Sequence, residues 1–334
     1  MTIIDARPTC FYHPIKVIFL DDSRSFLDAL DLEFGTQLNM LTITNPDTVI
    51  QTIDNHSQNI TKSVFKLMND VDTDTTTDRV IGFEVSNMLS LIYDKKRFDH
   101  VAILVVDYEM PDINGIEFCQ KLKERKIFRI MLTAEADKDT AIKAFNNGLI
   151  DKFILKTNEE LYLEITFAVQ ELTQRYFKEI SSSIINGHTS SIGALFSNES
   201  YLQLFAEIVS KVQPVEYYLV DNSGSFVFLD KDANPTWLIV RHNKELDEQV
   251  ELLQGYDVPD PIIESIVKKE KILFLLSEKE YKKPISEWVK HMFDSKKLDN
   301  NYYYSIVSGQ LTDSIDWGRV VSYSAYVDEK NSMA

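Results

Sequence analysis

Short apolar runs in the first half of the chain stop on residues that do chemistry. "KVIFL" (16–20) is followed by Asp21 and Asp22, "VAILVV" (101–106) by Asp107, "RIMLT" (129–133) ends on Thr133, and "KFILK" (152–156) ends on Lys156. Taken alone, an aspartate beside an apolar run is an ordinary loop residue at a strand end. The set changes that reading, because residues outside the carboxyl ends of the strands of an open parallel sheet share one neighbourhood however far apart they lie in sequence. Three carboxylates converging there repel unless a cation joins them. Oxygen-only ligands of this kind suit magnesium with waters retained, and Lys156 adds a second positive partner. Such a site lets a carboxylate, here Asp107, attack a phosphoryl group while cation and lysine neutralise its oxygens and a hydroxyl hydrogen-bonds one of them.

The elements that must position these residues follow from periodicity. With "MLTIT" (40–44), five short apolar strands alternate with amphipathic helices, "SRSFLDALDLEF" and "KDTAIKAFNNG" among them, the second closed by Gly148 where a left-handed cap is wanted. This alternation predicts an α/β, doubly wound, five-stranded parallel sheet of flavodoxin-like type. From Asn158 to about Ser181 the apolar residues Leu161, Ile165, Val169, Leu172, Tyr176 and Ile180 recur every three to four positions, which predicts one long final helix. We place an N-terminal extension at 1–14, the α/β domain at 15–183 with an insertion at about 55–98, a linker at 184–193, and a second domain at 194–334.

The residues that carry the site also carry a family likeness. "FLDDS" with Asp21 and Asp22, "VVDYEMPDINGIE" with Asp107, Met110, Pro111 and Gly115, "MLTAE" with Thr133 and Ala134, and "NNGLIDKFILK" with Gly148, Phe153 and Lys156 stand in the order and close to the spacing of receiver (CheY-like) domains. Residues 14–183 thus resemble the receiver domains of two-component response regulators. The resemblance implies Asp107 as phosphoacceptor, Thr133 and Lys156 as its catalytic partners, and Thr133 with Phe153 as the switch. It implies magnesium on Asp22, Asp107 and the backbone carbonyl of Glu109, with Asp21 acting through water. Glu109 and Glu135 stand where the family modulates dephosphorylation, although both also read as solvated loop carboxylates.

Three features depart from the family pattern. Lys156 is followed by Thr157 where a proline is usual, and about fifteen residues precede the first strand. The 85 residues from Asp22 to Asp107 are about twice the usual gap, and "DNHSQNITKSVFKLMNDVDTDTTTD" (54–78) reads as a polar loop with an added helix.

The second half predicts an α+β domain with a mainly antiparallel sheet. "VEYYLVDNSGSFVFLD" (215–230) is a hairpin around Asn222-Ser223-Gly224, followed by strands "TWLIVRH", "KILFLL", "YYYSIVSG" and "RVVSYSAYV" and helices near 244–256, 260–269 and 284–293. Its order resembles that of PAS-type sensor and dimerisation domains. It holds no P-loop, no nucleophile with a nearby base, and no short Arg- and Lys-rich helix of the kind that enters a DNA groove.

Composition narrows the function classes. The net charge is -17, with -9 on residues 1–183 and -8 on the rest, so neither half has the basic excess that a phosphate backbone calls for. Two distant cysteines, Cys10 and Cys119, and six scattered histidines argue against disulfides and zinc. No apolar run approaches the roughly 18 residues of a membrane span, and a cytoplasmic location is expected. What the receiver-domain resemblance implies is a non-enzymatic response regulator, with a sensor histidine kinase as partner and a homodimer formed through the receiver domain. The whole architecture is similar to that of a quorum-sensing response regulator, which implies transcriptional control. A direct nucleic-acid-binding regulator, or an output domain with a small-molecule or nucleotide pocket, are the alternatives.

Overall fold

In the computed structural model, which describes residues 8–35, 37–56, 66–67, 81–82, 88–134, 137–186, 191–256 and 258–333, the chain divides into two units. The first is built on His13–Ile60 and Lys96–Ile180, the second on Ala6–Tyr12, Thr61–Lys95 and Ser181–Ala334. In chain order the strands up to Leu155 are β1 (Phe11–Tyr12), β2 (Lys16–Leu20), β3 (Met40–Ile43), β4 (Lys66–Leu67), β5 (Ile81–Gly82), β6 (Val101–Asp107), β7 (Phe128–Thr133) and β8 (Lys152–Leu155), of which β1, β4 and β5 belong to the second unit. The helices are α1 (Arg24–Phe34), α2 (Pro46–His56), α3 (Gly115–Lys121), α4 (Lys138–Asn146) and α5 (Leu161–Asn186).

The first unit is a five-stranded parallel sheet in the order β3-β2-β6-β7-β8, the doubly wound arrangement expected from the sequence. Its central strand, β6, is buried at all seven positions, the continuous apolar pattern of a strand covered on both faces. Its Leu104 and Val106 share a core cluster with Ile18, Leu20, Phe118 and Met131. Helix α1 turns Leu27, Leu30 and Phe34 inward, one helical face, and is capped by Ser23. After α4, Gly148 takes φ +66°, as its cap position requires. The helix expected from 158 to 181 runs from Leu161 to Asn186.

The second unit adds β9 (Glu216–Leu219), β10 (Phe226–Leu229), β11 (Pro235–His242), β12 (Lys271–Leu273), β13 (Met292–Asp294), β14 (Lys296–Lys297) and β15 (Tyr302–Ser308). Its main sheet is antiparallel throughout, in the order β1-β9-β10-β11-β15-β14. The predicted hairpin is β9-β10, and its turn places Gly224 at φ +88°. Strand β1, from the N-terminal extension, pairs Phe11 with Tyr218 and Tyr12 with Tyr217. Its sequence role was unreadable because two residues carry no periodicity. A helix at Glu199–Val212 buries Phe205 against the rings of Tyr217, Phe226 and Phe228.

Two expected elements differ. "RVVSYSAYV" was expected as a strand, but a helix spans Tyr323–Met333 instead. Ser322 caps it by accepting from the Ala325 N–H, and Tyr323 stacks on Tyr326 one turn later, so a pattern that also alternates resolves to the helical period. The helix expected near 284–293 is shorter, one α turn at Ile285–Trp288 continued by a 3-10 turn at Val289–His291, after which the chain extends into β13, which pairs with β12. The added helix expected within 54–78 falls mostly outside the described residues. Of that stretch, α2 covers the first three residues, and β4 pairs with β5 as a short ribbon.

Candidate phosphoacceptor site

The strand ends of the first unit bring the sequence-selected residues together. β2 delivers Asp21 and Asp22, β6 delivers Asp107, β7 ends on Thr133, and Lys156 follows β8. Asp21 is 2% exposed and Asp107 5%, while Asp22 faces solvent. One carboxylate oxygen from each of the three lies within 4.8 Å of the others. Lys156 Nζ stands 2.8 Å from Asp21 Oδ2 and 2.9 Å from Asp107 Oδ2.

Local backbone chemistry fixes this geometry. Ser23, at the cap of α1, donates its N–H to Asp21 Oδ1 at 2.8 Å, so the helix start orients the buried carboxylate. The Lys156 N–H donates to the Thr133 carbonyl at 2.9 Å, tying the loop after β8 to the end of β7. No peptide bond among the described residues is cis, and Lys156 reaches both carboxylates with Thr157 behind it. Gly115 opens α3 directly against the backbone of Asp107 and Tyr108, a close approach that excludes a side chain.

Two opposing effects act on the Asp107 carboxyl. Burial raises its pKa, the Lys156 hydrogen bond and charge lower it, Asp21 raises it, and a Glu109 backbone hydrogen bond lowers it, with a net rise. For Lys156, burial works against the charge, but hydrogen bonds to Asp21 and Asp107 outweigh it and raise its pKa. The pair is an ammonium clamped between two carboxylates.

The remaining sequence-selected residues fall as follows. Thr133 is fully buried, its hydroxyl donating to the Ala134 carbonyl at 3.2 Å. Phe153 is half-buried on β8, packs on the core and meets Phe145 edge-on at 6.4 Å. The Glu109 side chain is exposed, and Glu135 lies outside the described residues. Sequence reading passed over Ser23 and Phe26. Ser23 carried a signal, a small hydroxyl residue just before a helical run. Phe26 carried none, since its ring lies 4.8 Å from Lys156 Nζ across 130 residues of chain.

The donor set fits a magnesium ion: three carboxylate oxygens converge, and the exposure of Asp22 leaves room for retained waters. An oxygen nucleophile, a cation site, a hydroxyl and an ammonium at one sheet end suit phosphoryl transfer to a carboxylate.

Residues 62–166 match the family model of the response regulator receiver domain, a span that holds Asp107, Thr133, Phe153 and Lys156. Asp21 and Asp22 precede that span and join the site through the topology of the sheet. The Legionella pneumophila response regulator LqsR is similar in structure at 26% identity, covering 97% of each chain with a TM-score of 0.76. An adenylate cyclase from Rhodopirellula baltica aligns at 18% identity over 50% of this chain and 93% of its own, with a TM-score of 0.32. A Francisella response regulator receiver domain aligns at 16% identity over 48% of this chain and 98% of its own, with a TM-score of 0.31. No curated protein matches the sequence. Among the described residues no helix is long and apolar enough to cross a membrane. The chain thus carries a response regulator receiver domain.

Proposed function

We propose that this protein is a phosphorylation switch in a two-component relay, with Asp107 as phosphoacceptor and a sensor histidine kinase as donor. The observation that carries the reading is Lys156 held between Asp21 and Asp107, with Asp22 completing an oxygen cluster beside them. In the transfer, an Asp107 carboxylate oxygen forms a bond to phosphorus as the phosphorus–nitrogen bond of the phosphohistidine breaks. The electron pair leaves with the imidazole, which then takes up a proton.

Asp21, Asp22 and Asp107, with the Glu109 carbonyl, would hold magnesium, which when bound neutralises phosphoryl oxygens. Lys156 moves its ion pair from the Asp107 carboxylate to a phosphoryl oxygen, and Thr133 turns its hydroxyl from the Ala134 carbonyl to another. Phe153 follows Thr133 inward, and the altered receiver surface favours a homodimer and a changed state of the output domain at 194–334. Glu109 and Glu135 modulate hydrolysis of the acyl phosphate. The cellular role is control of gene expression in the cytoplasm, in quorum sensing.

Sedimentation of the full chain with and without beryllium fluoride and magnesium, beside Asp107→Asn, tests this reading. A shift toward dimer in the wild type, absent in the variant, is expected. Failure of the mimic to bind the wild type would refute the phosphoacceptor role, and binding without a change in association would refute the dimer output.

A further inference from the structure

Among the described residues the Lys156 ammonium meets the two carboxylates and the ring of Phe26, whose centroid lies 4.8 Å from Nζ. Phe26 is not on the inward face of α1, which buries Leu27, Leu30 and Phe34; its half-buried ring stands toward the strand-end crevice. The first turn of α1 holds it there. Its N–H donates to the Ser23 carbonyl at 3.1 Å, and the Ser23 N–H donates to Asp21 Oδ1 at 2.8 Å. A single six-residue segment therefore sets both the carboxylate and the ring that flank the cation. Thr157 follows Lys156, so no proline ring restricts the lysine's backbone. Its backbone is tied to β7 by the Lys156 N–H, and the flexible stem beyond is steered by what the ammonium touches.

We infer that Phe26 is a positioning residue for phosphoryl transfer: its ring face keeps the Lys156 ammonium at the mouth of the crevice while the lysine exchanges the Asp107 carboxylate for a phosphoryl oxygen. The inference rests on the phosphoacceptor reading above. The physical basis is the kind of attraction involved. A third carboxylate in this place would compete with the incoming phosphoryl group for the ammonium. An aromatic face attracts a cation electrostatically yet offers no lone pair to hold it, so the lysine stays in place and remains free to change partners. Water in the same place would let the flexible four-carbon stem swing away.

The test separates cation–ring attraction from packing. In the full-length chain, Phe26 is replaced by phenylalanines carrying one, two or three ring fluorines, which drain the negative face at nearly constant shape, and by Phe26→Tyr and Phe26→Leu. Phosphorylation by acetyl phosphate with magnesium is followed by intact mass, with Asp107→Asn as the blank, and each variant's melting temperature is measured as a control on folding. The expected result is a rate that falls stepwise with fluorine number, a Tyr variant near wild type, and a Leu variant slower by about 2- to 30-fold. A flat fluorine series with a phosphorylated wild type overturns the role of Phe26 and leaves the phosphoacceptor reading standing. A wild type that stays unmodified like Asp107→Asn overturns both.

Discussion

Gly115 lies so close to Asp107 that a β-carbon on it would sit 2.3 Å from the Asp107 carbonyl oxygen and 3.1 Å from Tyr108 Cα. The obstacle is backbone, which cannot rotate away as a side chain would. The Gly115 N–H donates to the Tyr108 carbonyl at 2.8 Å, so the loop after β6 closes back on the strand end that presents Asp107. At an unobstructed interior helix position Gly→Ala gains about 1 kcal/mol from propensity, and Gly115, the first residue of α3, would gain less. Here the clash should cost about 1–3 kcal/mol and displace the Asp107 carboxylate. Thermal melting should show a net loss of stability, together with slower modification by acetyl phosphate. An unchanged or raised melting temperature would contradict the close approach.

Asp107 should be a liability to the fold at neutral pH. Burial raises its carboxyl pKa more than Lys156 lowers it. A carboxyl whose folded pKa exceeds its unfolded value of about 3.9 favours folding fully only below that value, and the contribution is lost as pH rises through the folded pKa. Asp107→Asn removes the buried charge and keeps the shape. It should stabilise the protein at pH 7 by about 0.5–2 kcal/mol, and the gain should shrink toward pH 4. Urea unfolding at the two pH values measures this, and an Asn variant less stable than wild type at pH 7 would show that Lys156 outweighs burial.

The site could be read from sequence because parallel strands announce their own ends. The apolar run of β6 continues until it reaches Asp107, and the same rule marks Asp21, Thr133 and Lys156, so a linear pattern becomes a spatial cluster once the sheet is known to be parallel. Contacts that depend on side-chain direction left no such trace. Phe26 reaches Lys156 from a helix whose inward face is marked by other residues, and β1 finds β9 across more than two hundred residues with only two side chains to declare it. The stretch at 319–327 misled because Val, Tyr and Ser at alternate positions also place Tyr323 and Tyr326 one turn apart, and Ser322 settles the choice by capping.

His100 should make the first unit acid-sensitive. It precedes β6, and its Nε2 lies 2.5 Å from the hydroxyl of Tyr176 on α5. Burial pushes its pKa down to about 4, and burial likewise pushes His13 down to about 3. A histidine depressed in the folded state contributes stability above its unfolded value of about 6.5, and that stability is lost as pH falls toward the folded pKa. Each ring should therefore remove up to about 1.4 kcal/mol per pH unit between pH 6 and 4. The stability difference between wild type and His100→Gln, followed by far-ultraviolet circular dichroism, should narrow across this window as shared carboxylate effects cancel. A difference independent of pH would mean that His100 titrates alike in both states.

In the second unit, Arg241 fastens the β9-β10 turn to β11. Its Nη1 lies 2.7 Å from Asp221 Oδ2 and 2.6 Å from the Val240 carbonyl, and the guanidinium stands 5.4 Å from the Phe274 ring. Asp221 spends its other oxygen on the N–H groups of Ser223 and Ser225, at 3.0 and 2.9 Å, so one carboxylate both shapes the turn and receives the arginine. Removing the cation strands that carboxylate, and Arg241→Met should cost about 3 kcal/mol, the lower end for a broken buried pair because Asp221 keeps 20% side-chain exposure. Asp221→Asn retains an acceptor for the turn and should cost about 1.5–3 kcal/mol, the worth of one hydrogen bond to a charged group. The double variant should cost less than the sum of the two, since the stranded charge is gone. All three tryptophans, Trp237, Trp288 and Trp317, belong to the second unit, so their fluorescence reports its unfolding alone. Strict additivity in that signal would assign the hold on the hairpin to the bonds that Arg241 Nη1 donates to the Val240 carbonyl and, at 3.2 Å, to Ser225 Oγ, and leave the ion pair without a share.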